Sequence, residues 1–296
     1  MAGVVVVGSA NADLVVHVDR RPVGGETVTG SELAVTPGGK GSNQAIAAAL
    51  MGADVAFLGC VGHDAYGDLL ATALAEAGAD ASGLGRVATP TSVALIILTP
   101  DGENSIIVTA GANGQVTPDF LRGCEERWRD AALVVMQLEV PLEAVAFVAG
   151  ECRARGIRFL LNAAPAAPLD AGVLAACDPL VVNETEAAFL LGADVAEADL
   201  VDRLLELGPA SVVVTLGAAG AVAGTATGER YARPAEQVER VVDTTGAGDA
   251  FVGGLATVLG RGGDLAEGLA HGARAAAVAV QASGAAASYA GMRELR

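Results

Sequence analysis

Short apolar runs alternate with helical segments along almost the whole chain, and this order limits the fold more than any single motif. The runs cover residues 4–7, 55–59, 133–137, 159–162, 180–182 and 211–215. Helical patterns cover 45–51, 67–77, 118–128, 142–155, a segment ending at Leu191, 199–207, 250–259 and 265–280. Strands that alternate with helices pair in parallel and need cover on both faces, so the expectation is a three-layer α/β/α domain with a mostly parallel central sheet. Two stretches stand outside this rhythm. Residues 14–18 with 27–35, and 93–99 with 105–109 around a turn at Pro100, Asp101, Gly102 and Glu103, lack a helical period and read as strands beyond the main layer.

The chain has 296 residues, enough for one large α/β domain, and no apolar run reaches the length that crosses a bilayer. No basic, apolar leader opens it, and the expected location is the cytoplasm. A formal net charge of -17 argues against nucleic acid or anionic membrane as a partner. Cys60, Cys124, Cys152 and Cys177 are far apart, and His17, His63 and His271 are scattered, so neither a disulfide framework nor a zinc site is expected.

The basic residues are almost all arginine, and Lys40 is the only lysine. It lies in Gly38-Gly39-Lys40-Gly41-Ser42-Asn43-Gln44, directly before a helix. The stretch departs from a P-loop because Gly41 stands where Ser or Thr must follow the lysine. A glycine-lined helix start with one lysine and one asparagine suits a close-fitting hydroxylated ligand, although a plain flexible turn has the same composition. Polar residues also follow the strand runs: Asn11, Asp13, Glu139, Asn162, Asn183, Glu186, Thr215 and Gly217. Asn11 and Asp13 alone are open to an Asx-turn explanation, whereas this many at one sheet edge is what a cleft for a polar ligand requires.

Residues 241–254 read V-V-D-T-T-G-A-G-D-A-F-V-G-G. Gly246, Ala247 and Gly248 lie at a predicted helix N-terminus, where free N–H groups and the helix dipole favour an anion. Asp249 in the same turn would face that anion. A carboxylate so placed suits proton removal from a hydroxyl that attacks a phosphoryl group; a helix cap is the alternative.

Together these residues resemble the ribokinase family of carbohydrate kinases, also called the phosphofructokinase-B family. The matching stretches are G-S-A-N-A-D at 8–13, G-G-K-G-S-N-Q at 38–44, A-G-A-N at 110–113 and M-Q-L-E at 136–139. They continue with N-A-A-P-A at 162–166, V-N-E-T-E at 182–186, T-L-G at 215–217 and D-T-T-G-A-G-D at 243–249. The resemblance implies one kinase domain over 1–296 with a small β lid inserted at about 14–36 and 91–110. It implies ATP-dependent phosphorylation of D-ribose at the 5-hydroxyl, with deoxyribose, a nucleoside or another sugar as alternative acceptors. A sugar-binding protein without catalysis is the alternative outside enzymes, but such a protein has no need of the base or the anion-hole glycines.

By the same resemblance Asp249 is the base, and Gly246, Ala247 and Gly248 form the anion hole. Asn11, Asp13, Gly39, Lys40, Gly41, Ser42, Asn43 and Glu139, with Asp249, hold the sugar. Asn183 and Glu186 serve phosphate and hydrated Mg²⁺, while Thr215, Leu216, Gly217, Ala218, Ala219 and Gly220 line the nucleotide with Gly248 and Ala273. A K⁺ ion is implied at Asp243 and Ser288 and at the backbone oxygens of Thr245, Ala279, Ala282 and Gly284. A homodimer through the lid strands is implied too. Two departures from the family pattern stand out: Ala273 where many members carry Asn, and Ala286-Ala287 where Gln-Pro is usual before Ser288.

Overall fold

Four consecutive valines make the interior strand β1 (Val4–Val7), buried along its whole length. Val4 and Val6 enter one hydrophobic core and Val5 and Val7 the other, because successive strand residues point to opposite faces. The computed structural model describes residues 3–101, 104–193 and 195–296. Among them the remaining strands are β2 (Asn11–His17), β3 (Ala34–Gly38), β4 (Val55–Gly62), β5 (Asp80–Val87), β6 (Ser92–Leu98), β7 (Asn104–Val108), β8 (Leu133–Met136), β9 (Arg158–Asn162), β10 (Leu180–Asn183), β11 (Ser211–Thr215), β12 (Ala221–Thr225) and β13 (Arg230–Arg233). The helices are α1 (Lys40–Leu50), α2 (Ala65–Ala77), α3 (Pro118–Gly123), α4 (Leu142–Arg155), α5 (Ala171–Leu174), α6 (Glu184–Leu191), α7 (Glu197–Leu205), α8 (Ala247–Gly260) and α9 (Leu265–Ala279).

The large sheet has nine strands in the order β13-β12-β11-β10-β9-β8-β1-β4-β5. From β11 to β5 all neighbours are parallel, and β12 and β13 add an antiparallel edge. Core residues of α1, α2, α8 and α9 cover one face, and those of α3 to α7 the other. This is the α/β/α layering expected from the alternation. Among the described residues no helix is long and apolar enough to cross a membrane.

A second sheet has four strands in the order β3-β2-β6-β7. The expected strand at 27–35 is displaced: strand structure begins at Ala34, and pairing with β2 runs from Val15↔Ala34 to Asn11↔Gly38. Pro37 is tolerated because β3 is an edge strand. The same ladder draws Asn11 and Asp13 into β2, where a turn was expected, and β2 also pairs in parallel with β6. Thr99 and Pro100 follow β6 as anticipated, while Gly102 and Glu103 of the expected turn lie outside the described residues.

Close helix contact sets the geometry beneath this second sheet. A Cβ on Gly253 of α8 would stand 2.6 Å from the Ala47 Cβ and 2.9 Å from the Gln44 carbonyl oxygen of α1. Only glycine lets the two helices approach so far, and the approach brings the first turn of α1 against the first turn of α8.

Candidate active site

Asp249 occupies the first turn of α8 and is 8 % exposed. A carboxylate here lies near the positive end of the helix dipole. Its oxygens accept hydrogen bonds from Asn43 Nδ2 and Gln44 Nε2, each at 3.0 Å. Gly246 caps the helix with a left-handed φ of 77°, and its carbonyl accepts the Tyr289 hydroxyl at 2.6 Å. Of the three residues expected to bind an anion, Gly246 and Gly248 line an open cleft, while the Ala247 N–H turns back to the Thr244 carbonyl at 3.2 Å.

The cleft has a volume of about 240 Å³, and Lys40, Asn162, Asn183, Glu186, Thr215 and Asp249 contribute to its walls. Asn162, Asn183 and Thr215 are the last residues of β9, β10 and β11, so the cleft opens at the carboxyl ends of parallel strands. Ligands of open α/β sheets are met at that edge.

Residues expected to hold a sugar gather at the start of α1. Glu139 accepts the Ser9 hydroxyl at 2.6 Å and the Lys40 N–H at 2.9 Å. The Gly41 N–H donates to Ser9 Oγ at 3.2 Å, and the Ser42 hydroxyl donates to the Gly39 carbonyl at 3.0 Å. Ser42 is therefore a brace within the loop. Asn11 Oδ1 accepts Asn113 Nδ2 at 2.7 Å, which ties β2 to the 3₁₀ turn Gly111–Gln115. Asn43 Oδ1 is buried without a partner in the chain.

The charges answer one another across this space. Burial pushes the Asp13 carboxyl up to about 7, helped by the Glu139 and Asp249 charges. Burial alone would lower the Lys40 ammonium, but Asp249, Glu139 and Glu186 more than offset it and hold its pKa above the ordinary lysine value. Burial also raises Glu186, against the opposing Asn183 N–H and the Lys40 charge. The only lysine of the chain thus balances three carboxylates.

On the expected nucleotide side, Asn183 and Glu186 form a capping box at the start of α6. Asn183 Oδ1 accepts the Glu186 N–H at 2.8 Å and the Asn183 N–H donates to Glu186 Oε2 at 2.9 Å. Leu216 is buried, while Gly217, Ala218 and Ala219 form an exposed 3₁₀ turn closed by the Leu216 N–H on the Gly220 carbonyl at 2.8 Å. Ala273 is buried within α9, apart from the residues lining the cleft.

The expected K⁺ ligands are partly assembled. Asp243 accepts the Thr245 and Gly284 N–H groups, each at 2.9 Å, and these bonds hold its carboxyl below the usual range against the upward push of burial. The Ser288 hydroxyl donates to the Ala285 carbonyl at 2.8 Å, and Ala279 ends α9, where carbonyls run out of intrahelical donors. Ala282 is exposed in the same loop. Among the described residues no group of three or more His, Cys, Asp or Glu is arranged to hold a metal ion.

Sequence reasoning passed over several of these contacts. Ser9, Gln44, Asn113 and Gln137 are all buried polar residues bonded to residues expected at the site or to one another. For Gln44 the signal was available: it is a polar residue facing inward at the head of an otherwise alanine-rich helix.

The site therefore sets a buried carboxylate at a helix N-terminus beside a cleft at the strand ends of an α/β sheet. The model of the pfkB family carbohydrate kinases matches residues 1–290. A ribokinase of Schizosaccharomyces pombe is 38% identical over 309 residues, covering 100% of this chain and 97% of that protein. A deoxyribokinase of Salmonella typhi is 35% identical over 292 residues, covering 97% and 95%. The solved structure of Arabidopsis thaliana ribokinase complexed with ribose and ATP superposes with a TM-score of 0.93 at 33% identity, covering 99% of this chain and 97% of that one. The chain belongs to the pfkB family of carbohydrate kinases, and it is a sugar kinase.

Proposed function

We propose that the protein transfers the γ-phosphoryl group of ATP to the 5-hydroxyl of D-ribose, giving D-ribose 5-phosphate and ADP. One observation carries this reading: Lys40, Glu139 and Asp13, with Asn43 bonded directly to Asp249, converge on that buried carboxylate beside a helix N-terminus. Such an arrangement can hold a small polyhydroxy ligand with one hydroxyl presented to Asp249. That an S. pombe protein of nearly the same length and a solved A. thaliana chain are ribokinases adds support.

In this reading Asp249 accepts the proton of the attacking hydroxyl. The N–H groups of Gly246 and Gly248 meet the migrating phosphoryl group, joined by that of Ala247 once it leaves the Thr244 carbonyl, and Lys40 offsets the charge. Because phosphoryl transfer depends mostly on positioning and charge stabilisation, these donors matter at least as much as the base. The four-stranded sheet acts as a lid that keeps water from the phosphoryl group.

The residues fit the expected ions. Mg²⁺ is commonly held by one or two carboxylates together with substrate phosphates, and Glu186 with Asn183 at the cleft wall suits that role. There the ion supplies charge neutralisation to the phosphates. For K⁺, each Asp243 oxygen spends one lone pair on an N–H and keeps another, beside loop carbonyls that are hard donors. Asp243, Thr245, Ala279, Ala282, Gly284 and Ser288 would hold it. The protein is proposed to work as a homodimer through the lid, where Ile106, Ile107 and Val108 are exposed on β7.

Deoxyribose is the second reading, favoured by the near full-length match to a deoxyribokinase. Coupled detection of ADP with ribose, deoxyribose and a set of nucleosides, with and without K⁺, separates the possibilities. Ribose is expected to give the highest kcat/KM and K⁺ to raise it; faster turnover of deoxyribose or a nucleoside overturns the assignment.

A further inference from the structure

Beneath Asp249 lies a chain of buried amides that proton transfer itself does not use. Gln44 Nε2 donates to Asp249 Oδ1 and also to Asn162 Oδ1, each at 3.0 Å. The side-chain Oε1 of Gln44 in turn accepts Gln137 Nε2 at 2.6 Å, and Asn162 is anchored by its own Nδ2 on the Val181 carbonyl at 3.3 Å. Gln44 and Gln137 are 1 % and 0 % exposed, and neither lines the cleft.

A glutamine amide can rotate by half a turn and exchange its donor and acceptor ends. Here the direction is imposed from the Asp249 end, because an ionised carboxylate only accepts. If Gln44 reversed, its oxygen would face Asp249 Oδ1 and Asn162 Oδ1 together, and its NH₂ would face the NH₂ of Gln137. The carboxylate therefore fixes Gln44 with its donors toward Asp249, and Gln137, donating to the other end of the amide, completes the lock.

This lock has a cost that packing alone does not justify. With its nitrogen committed to Gln44, Gln137 leaves Oε1 buried without a partner. Apolar side chains of the same shape at both positions would leave no such atom.

We propose that Gln44 is a positioning residue that fixes the Asp249 carboxylate for proton transfer, and that Gln137 acts on Asp249 through Gln44. This rests on the reading of Asp249 as the base. With Asn43 Nδ2 on Oδ2 and Gln44 Nε2 on Oδ1, rotation about the carboxylate is blocked at both oxygens, while Asp249 still lines the cleft.

The test is steady-state kinetics of Gln44→Met, Gln137→Met and the double variant, with Asp249→Asn as reference and melting temperature as the check on folding. Methionine keeps the volume nearly constant. Gln44→Met is expected to lower kcat by about 10- to 100-fold with KM for sugar and ATP little changed, since the geometry of the reacting group is lost and binding is not. Gln137→Met should lower kcat by a smaller factor, and the double variant should match Gln44→Met alone, because Gln137 has no route to Asp249 once Gln44 is gone. Unchanged kcat in folded single variants, losses that multiply in the double variant, or a loss confined to KM would overturn the proposal. If Gln44→Met fails to fold, Gln137→Met decides by the same criterion. An active Asp249→Asn enzyme would remove the base reading and this proposal with it, whereas an inactive one beside unaffected glutamine variants removes this proposal alone.

Discussion

Gly253 of α8 touches the backbone of Gln44 in α1: a Cβ at Gly253 would meet the Gln44 carbonyl oxygen at 2.9 Å and the Ala48 nitrogen at 3.0 Å. The contact joins helices more than two hundred residues apart and places Asn43 and Gln44 against Asp249.

Gly253→Ala is therefore expected to destabilise the protein and slow it. Alanine gains about 1 kcal/mol of helix propensity over glycine. Overpacking costs about 1–3 kcal/mol, and backbone atoms cannot swing aside as a flexible side chain can, so the clash should win. Differential scanning calorimetry should show a lower Tm, and kcat should fall because α1 is pushed off Asp249. An unchanged Tm with full activity would contradict this account of the helix contact.

Asp249→Asn is expected to lower kcat by about 10² to 10⁴ while ribose and ATP still bind, because the amide keeps the shape but cannot take the proton. Titration calorimetry and ADP release measure the two effects separately. Near-normal turnover with intact binding would show that the base lies elsewhere.

Asp13 makes stability depend on pH in a stated direction. Its folded-state pKa is about 7 against an ordinary value of 3.8, mainly through burial, so between these values the folded state binds more protons than the unfolded one. Stability is then fully present below the ordinary value and declines as pH rises through about 7, by on the order of 4 kcal/mol for this group alone. Asp13→Asn should abolish that component, so chemical denaturation at pH 4.5 and 7.5 should show a smaller difference in the variant than in the parent. Equal slopes would mean that the carboxyl does not carry the effect.

Ile107→Lys tests the lid contact. Ile107 is 59 % exposed and Ile106 and Val108 beside it are 52 % and 54 % exposed, a continuous apolar strip along β7. Sedimentation should show a dimer in the parent and a monomer in the variant, since a buried lysine without a partner opposes association. A dimer unaffected by the lysine would place the interface on another surface.

The parts of the fold visible in the sequence were those with an unbroken apolar signal. Strands such as β1 and β8 are buried on both faces, so their run of valine and leucine has no competing interpretation. By contrast β5, β12 and β13 gave no signal. Their Gly, Asp and Arg content reflects positions at or near the sheet edges, where part of each strand meets solvent or a long side chain. The register of β2 was hidden as well, because Asn11 and Asp13 carry turn chemistry locally and are made strand only by β3 and β6. Lys40, Asn43, Glu139 and Asp249 were legible as candidates because each is a polar group beside a glycine turn or a strand end. Gln44 left only one signal, a polar residue at the head of an alanine-rich helix, and Gln137 left none, because a glutamine inside an apolar pattern acquires meaning only from what it touches.

The sequence by itself determined the α/β class, the family and the chemical types available to the site, since these follow from local periodicity and short motifs. Tertiary structure alone decided that Asn43 and Gln44 share the Asp249 carboxylate, that one lysine balances Asp249, Glu139 and Glu186, and that Asn183 and Glu186 cap a helix. Hydrogen bonds act over about 3 Å and charges over a few times that, and residues far apart in the chain come within such range only when helices and strands pack.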